Sequence, residues 1–266
     1  MDYLDQLENR SIYIIRQTYS RFRNMALLWS IGKDSTALAW ITRKAFFGKI
    51  PFPVVHIDTG FKFKEIYEFR DKFADEWGLK LLISKNEQAL EKGISPESGK
   101  FECCNALKTE ALKLTLQEHN FRALLLAIRR DEHGIRAKER YFSPRNIDFK
   151  WDYHDQPAEL WDLYKSGITA EQHFRIHPML HWTEVDIWRY VQREKIPIID
   201  LYFARNGKRY RSIGCHTCCA PLDSNADSIK KIIRELETTK VAERSGRAQD
   251  KEDSYTMQKL RSLGYM

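Results

Sequence analysis

Leu27-Leu28-Trp29-Ser30-Ile31-Gly32-Lys33-Asp34-Ser35-Thr36 is an apolar run that stops abruptly in small polar and charged residues, and Ala37 to Ala45 then continues with helical spacing. Strand, glycine-containing turn, helix start: this order aims successive backbone N–H groups and a helix N-terminus at one spot, which favours a bound anion. Phosphate is the expected anion. Gly32 lets the backbone approach it closely, Ser30, Ser35 and Thr36 offer hydroxyls, Lys33 adds charge, and Asp34 can orient a metal ion or cap the helix. The spacing is not that of the commoner Gly-x-x-x-x-Gly-Lys-Ser/Thr phosphate loop. A glycine turn before a helix is also ordinary chain punctuation, so the reading needs support from other elements.

That support comes from neighbouring strand ends. Pro51 through Ile57 reads as a second strand that ends in Asp58-Thr59-Gly60, and Ala123 to Ile128 as another that ends in Arg129-Arg130-Asp131-Glu132. In a parallel sheet ligands sit at such carboxyl ends, so Asp58, Thr59 and Gly60 are expected to face the same crevice as Ser30. Helices are predicted over 3–23, 35–47, 64–77, 101–118 and 227–238, with further strands over 25–29 and 79–84. Thr183 with Asp186 has the form of a capping box that opens another helix. The alternation predicts an α/β fold, a doubly wound, mostly parallel sheet with helices on both faces. Residues 141–174, rich in aromatic and charged side chains, read as a long ordered excursion, and 239–262 as a surface-hugging or partner-ordered arm. The division expected is an α/β domain over 1–200 and a cysteine-containing segment, helix and tail over 201–266.

A chain of 266 residues can bury a sizeable core, and 42% hydrophobic with 30% charged residues suits a water-soluble globular protein. No apolar run approaches the roughly 20 residues of a membrane helix, and no basic-then-apolar signal follows Met1. A cytoplasmic protein without membrane contact is expected. The formal charge of +7 suits nucleotides or sulfate and would also suit contact with DNA, but an ordinary basic surface explains it better than a nucleic-acid groove.

Five cysteines in such a chain argue for metal binding or catalysis rather than a disulfide framework. Cys103-Cys104 and Cys215-His-Thr-Cys218 form two close pairs far apart in sequence, a pattern that can hold a tetrahedral sulfur-rich site, either zinc or an iron–sulfur cluster. Adjacent Cys103 and Cys104 suit a cube with four corners better than a single zinc, and packed core thiols are the remaining alternative. Cys219 is the spare, a packed thiol or a sulfur carrier.

Ser30-Ile-Gly-Lys-Asp-Ser35, His56-Ile-Asp-Thr-Gly60, Ile128-Arg-Arg-Asp-Glu132, Arg136-Ala-Lys-Glu-Arg140 and Pro178 through Trp188 resemble, in order and spacing, the ATP pyrophosphatase superfamily. Within it they are similar to the phosphoadenylylsulfate reductases and the small subunits of sulfate adenylyltransferase. The tail, with Ala242-Glu-Arg-Ser-Gly-Arg247 and Leu263-Gly-Tyr-Met266, is similar to the latter, and the Glu-Cys-Gly-Leu-His ending of the reductases is missing. The cysteine quartet is similar instead to the 4Fe-4S ligand sets of adenylylsulfate reductases and of the ATP pyrophosphatases of DNA phosphorothioation systems.

The resemblance implies an adenine nucleotide alpha hydrolase-like fold and splitting of ATP at its α-phosphate. The pyrophosphate would lie on Ser30 to Ser35, with Lys33, Asp34, Ser35, Arg129 and Arg130 in catalytic roles and a Mg2+ ion near Asp34. The adenosine would pack near Asp58-Thr59. Arg129 and Arg130, with Arg136 or Arg140, would clamp the acceptor oxyanion in preference to the alternative, surface ion pairs with Asp131, Glu132 and Glu139. Two activities follow: adenylylsulfate synthesis from ATP and sulfate with a GTPase large subunit, or nucleic-acid sulfur modification with a cysteine desulfurase and a 4Fe-4S cluster. Whether the chain works as a homodimer is left open.

Overall fold

The structure, a computed structural model, describes residues 1–264 except 135, 153, 155, 165–172, 242, 247–258, 261 and 262. In chain order the elements are α1 (Tyr3–Arg21), β1 (Met25–Leu28), α2 (Lys33–Ala45), β2 (Val54–Ile57), α3 (Lys64–Glu76), β3 (Leu81–Ser84), α4 (Glu87–Glu91), α5 (Lys100–Cys104), α6 (Ala111–Glu118), β4 (Ala123–Leu125), β5 (Phe142–Arg145), β6 (His173–Ile176), α7 (Glu184–Glu194), β7 (Lys208–Arg209), β8 (Leu222–Asp223) and α8 (Ile229–Thr238). Among the described residues no helix is long and apolar enough to cross a membrane.

Six strands form one sheet in the order β3-β2-β1-β4-β6-β5, in which only β5, paired with β6, runs antiparallel. Every residue of β1, β2, β4 and β6 is buried, as expected of strands covered on both faces. The chain winds outward from β1 through β2 to β3, then returns across β1 to β4. Right-handed crossovers therefore place α2, between β1 and β2, and α6, which leads back to β4, on opposite faces, while α7 packs beside α2, and the winding reverses between β1 and β4. Outside the carboxyl ends of those two strands lies the crevice in which sheets of this kind bind ligands.

Trp29, fully buried at the end of β1, stacks on Trp77 with ring centroids 5.9 Å apart and donates its indole N–H to Thr36 Oγ1 at 3.1 Å. Thr36 is thereby committed to holding the loop against the core. The expected helix at 101–118 runs on as α5, a π-helical stretch over Asn105–Glu110 and α6. The wider π turn buries Leu107, Lys108 and Thr109, in a kind of irregularity that recurs at functional sites.

Two expectations are corrected. Residues 141–174 are not only a loop excursion, because β5 and the start of β6 lie there. Pro144 is accommodated because β5 is an edge strand, and buried Arg145 pairs with Glu139 at 3.0 Å. The tail does not merely hug the surface either. Glu243 and Arg244 are buried, and fully buried Leu260 packs against Cys104. The rest of Ala242–Arg247 and of the terminal motif lies largely outside the described residues.

Burial holds the imidazoles of His56, His173 and His181 neutral, with pKa values pushed down to about 3, about 2 and about 4. On unfolding they regain the ordinary value near 6.5, so below that pH the unfolded chain binds more protons and stability falls as the pH falls. Melting curves are expected to shift to lower temperature between pH 7.5 and pH 5; an unchanged midpoint would contradict neutral burial.

Candidate active site

The turn after β1 is built around one strained residue. Ile31 adopts φ +68° although it is not glycine, and its side chain is buried. This left-handed step turns the backbone so that Gly32, with no capping side chain, opens α2. The helix thus begins at Lys33 rather than Ser35, and Asp34 stands in its first turn, where the helix dipole favours an anion, instead of capping it. Ser30 and Ser35 hydroxyls lie 3.0 Å apart, and Ser35 Oγ donates to the Gly32 carbonyl at 3.1 Å. Tyr202 hydroxyl accepts from the Lys33 N–H at 2.9 Å, and a Cβ at residue 32 would sit 3.5 Å from both that oxygen and Ser30 Oγ. Both are ordinary contact distances, so the loop has room for a methyl group there.

Ser30, Gly32, Lys33, Asp34 and Ser35 line one side of a cavity of about 150 Å³ at the switch between β1 and β4. Lys62, Lys108, Arg136, Tyr202, Glu243 and Arg244 are among the residues on its other walls. Thr36, Asp58, Thr59, Gly60, Arg129 and Arg130 do not line it.

Beneath the cavity runs a buried ion network. Lys33, only 1% exposed, bonds Glu243 and lies 3.2 Å from Asp34 and 3.8 Å from Glu184. Arg129, fully buried, bonds Asp34 and Glu243 and reaches Asp131 at 2.9 Å. Asp131 accepts the first N–H of α7, from Glu184, at 2.8 Å. Arg211 joins Glu184 at 2.8 Å to the Val241 carbonyl at 2.6 Å. Despite the cost of burial, Arg129 and Lys33 together hold the Glu243 carboxyl far below its usual range, and the surrounding carboxylates hold the Arg129 guanidinium charged. Arg129 is therefore a strut between loop, strand end and tail.

The other expected residues are placed differently. Asp58 accepts the Gly60 N–H and the Tyr67 hydroxyl, each at 2.8 Å, which stabilises the turn after β2. Thr59 Oγ1 lies 3.2 Å from Cys215 Sγ and so faces the cysteines. Arg130 stacks over the Tyr141 ring at 5.3 Å, and Arg140 Nε donates to the Pro157 carbonyl at 3.2 Å. Of the arginines expected at the acceptor, only Arg136 lines the cavity. Tyr202, Glu243 and Arg244 went unforeseen. The quoted Glu-Arg pair of the tail was the available signal, but in sequence it looks like any solvated charge pair.

Cys103 of the first pair and Cys215 of the second come near enough to act on each other electrostatically. Lys62 and Cys215 form an isolated antiparallel bridge, and the His216 N–H donates to the Phe61 carbonyl at 2.9 Å. All five cysteines are buried free thiols. Burial pushes the Cys103 thiol up to about 11, with the neighbouring Cys104 and Cys215 adding to it, while Lys108 opposes. Cys218 donates to Cys215, so Cys215 is pushed down and Cys218 up, and Lys108 favours the thiolate at both. Lys62 and Lys108 thus stand between the cysteines and the cavity wall. Among the described residues no group of three or more His, Cys, Asp or Glu is arranged to hold a metal ion as it stands. His216 is exposed, with Nδ1 3.0 Å from the Phe61 carbonyl.

The chain is similar to known proteins over its whole length. Residues 24–221 match the phosphoadenosine phosphosulfate reductase domain. Sulfate adenylyltransferase subunit 2 of Saccharophagus degradans is 38% identical over 296 aligned positions, which cover 100% of this chain and 98% of the relative. Its namesake from Shewanella pealeana is 39% identical with the same coverage. Phosphoadenylyl-sulfate reductase from Candida auris, solved as a phosphate complex, shares the fold with a TM-score of 0.55 at 17% identity, over 82% of this chain and 97% of that one. FMN adenylyltransferase from Candida glabrata does so with a TM-score of 0.59 at 17% identity, over 99% of this chain and 84% of that one. With the glycine loop at the switch point and relatives matched end to end, this chain belongs to the phosphoadenosine phosphosulfate reductase domain family, alongside the subunit 2 proteins of sulfate adenylyltransferase.

Proposed function

We propose that this protein is an ATP-using adenylyltransferase that makes adenylylsulfate from ATP and sulfate with release of pyrophosphate. The observation that carries this reading is the end-to-end likeness to sulfate adenylyltransferase subunit 2, which extends through the tail that reaches the phosphate loop. It favours sulfate activation over sulfur insertion into nucleic acid. A sulfate oxygen attacks the α-phosphorus, the bond from that phosphorus to the β-bridging oxygen breaks, and pyrophosphate leaves with the electron pair. The Ser30 to Ser35 backbone, the Ser35 hydroxyl and Lys33 stabilise the charge that builds on the departing pyrophosphate. Asp34, the cavity-wall carboxylate that belongs to the loop, would supply one oxygen to a magnesium ion, which takes one or two carboxylates together with substrate phosphates, in exchange for part of its pairing with Lys33 and Arg129. Such an ion would neutralise phosphate charge. Residues 1–200 carry the nucleotide-handling fold and 201–266 the extension that closes onto it. The subunit naming of the relatives supports a partner subunit that completes the enzyme, and that partner is a larger GTPase on this reading.

The cysteines support a second proposal within the same protein. Cys103, Cys104, Cys215 and Cys218 supply the four thiols of a 4Fe-4S cluster, with Lys62 and Lys108 offsetting their negative charge. What favours it is the approach of Cys103 to Cys215 beside the buried Lys108. The ligands still have to close in from their present positions, and Cys219 remains a packed thiol.

Asp34→Ala and Ser35→Ala are expected to slow sulfate-dependent pyrophosphate release about a hundredfold or more, the loss typical of a missing transition-state contact. Unaltered release in a coupled phosphate assay would refute the loop assignment. Glu243→Gln leaves Lys33 and Arg129 short of a shared counter-charge and is expected to destabilise the fold by about 3–5 kcal/mol, read by denaturant unfolding. For the cluster, protein purified without oxygen is expected to carry iron and acid-labile sulfide in equal amounts and to be brown; an iron-free, colourless preparation rules it out.

A further inference from the structure

Lys33 carries the charge of the phosphate loop, yet three carboxylates already surround its ammonium. Glu243 bonds it, Asp34 stands at 3.2 Å and Glu184 at 3.8 Å. An ammonium has three hydrogens to donate, and this one is buried, so an oxygen from outside reaches it only where one of the three carboxylates gives way. They are held differently. Asp34 is the next residue of the same helix, and Glu184 stands at the start of α7, fastened at 2.8 Å to Arg211. Glu243 comes instead from a short helical turn over Glu243–Gly246, 210 residues along the chain from Lys33.

That turn is pinned by charge. Among the described residues from 239 to 246, the side chains that are buried are those of Glu243 and Arg244, while Val241 is exposed. Glu243 bonds Lys33 and Arg129, Arg244 lies 3.2 Å from Glu132, and Arg211 donates to the Val241 carbonyl. Apolar packing is indifferent to an arriving anion. Ionic contacts are open to exchange with an anion of higher charge, and a carboxylate bridging an ammonium and a guanidinium is held as a phosphate would be.

We propose that Glu243 stands in for phosphate at the loop lysine: its carboxylate and the pyrophosphate portion of the nucleotide compete for Lys33, so that the docked tail restrains nucleotide binding and bound nucleotide releases the tail. Keeping both would press the pyrophosphate against three carboxylates in a site shielded from water, where like charges repel strongly. The coupling is reciprocal, since the factor by which nucleotide loosens the tail is the factor by which the tail weakens nucleotide binding. The tail is an autoinhibitory strap, and any contact that draws it away raises nucleotide affinity. The inference rests on the nucleotide reading of the loop and on no particular acceptor.

Titrated in magnesium with an ATP analogue carrying a methylene between the α- and β-phosphorus, Glu243→Gln is expected to show a dissociation constant about tenfold lower than the unaltered protein. It should do so although the same variant is less stable to denaturant; a purely structural Glu243 would lose binding along with stability, and equal or weaker binding overturns the proposal. Hydrogen exchange on the unaltered full-length protein needs no substitution. The amides of 240–246 are expected to exchange about tenfold faster with saturating analogue or inorganic pyrophosphate, and at an unchanged rate with AMP. Unchanged or slowed exchange with the analogue, or an equal response to AMP, overturns the competition while leaving the nucleotide reading in place. An analogue that binds neither protein refutes that reading and the strap together.

Discussion

The site depends on one buried ionic knot, in which Lys33 and Arg129 share the carboxylate of Glu243. Burying two cations is expensive, and the mutual attraction offsets that cost only when each charge has a well-placed partner. The partners come from four separated stretches: Asp34 in the loop, Asp131 after β4, Glu184 at the start of α7 and Glu243 in the tail. A network of that reach does more than hold a lysine. It fixes the position of the tail relative to the loop, and so determines what else can stand in the cavity.

The sheet makes this convergence possible. Because the winding reverses between β1 and β4, the ends of those strands open onto a crevice that no crossover connection covers, with Ser30 on its wall and Arg129 buried beneath it. The cysteine pairs lie along one side of the same crevice, separated from it by Lys62 and Lys108. Nucleotide loop, tail and thiols are therefore neighbours in space although they are scattered over most of the chain.

Much of the fold was legible where hydrophobicity and position agree. β1, β2 and β4 are short apolar runs ending in polar residues, and the structure places each in the parallel sheet. β5 and β6 were hidden because His173, Arg175 and Arg145 are buried yet polar, and their partners lie elsewhere in the chain. Arg145 is satisfied by Glu139, and Arg175 donates to the Gly264 carbonyl near the end of the chain. A buried charge with a distant partner has the same sequence signature as a solvated one, which is why 141–174 and the tail both read as surface.

The sequence by itself determined the strand–loop–helix unit at Leu27 to Thr36, the α/β alternation and the pairing of cysteines by spacing, since each depends on residues a few positions apart. Only the tertiary structure decided which charged residues work at the cavity. It drew Arg129 into the core, turned Arg130 and Asp58 to other partners, and brought in Tyr202, Glu243 and Arg244. The physical reason is that a side chain's role as ligand contact or structural counter-ion is set by the charges packed around it. In this chain those charges come from elements as much as 210 residues apart.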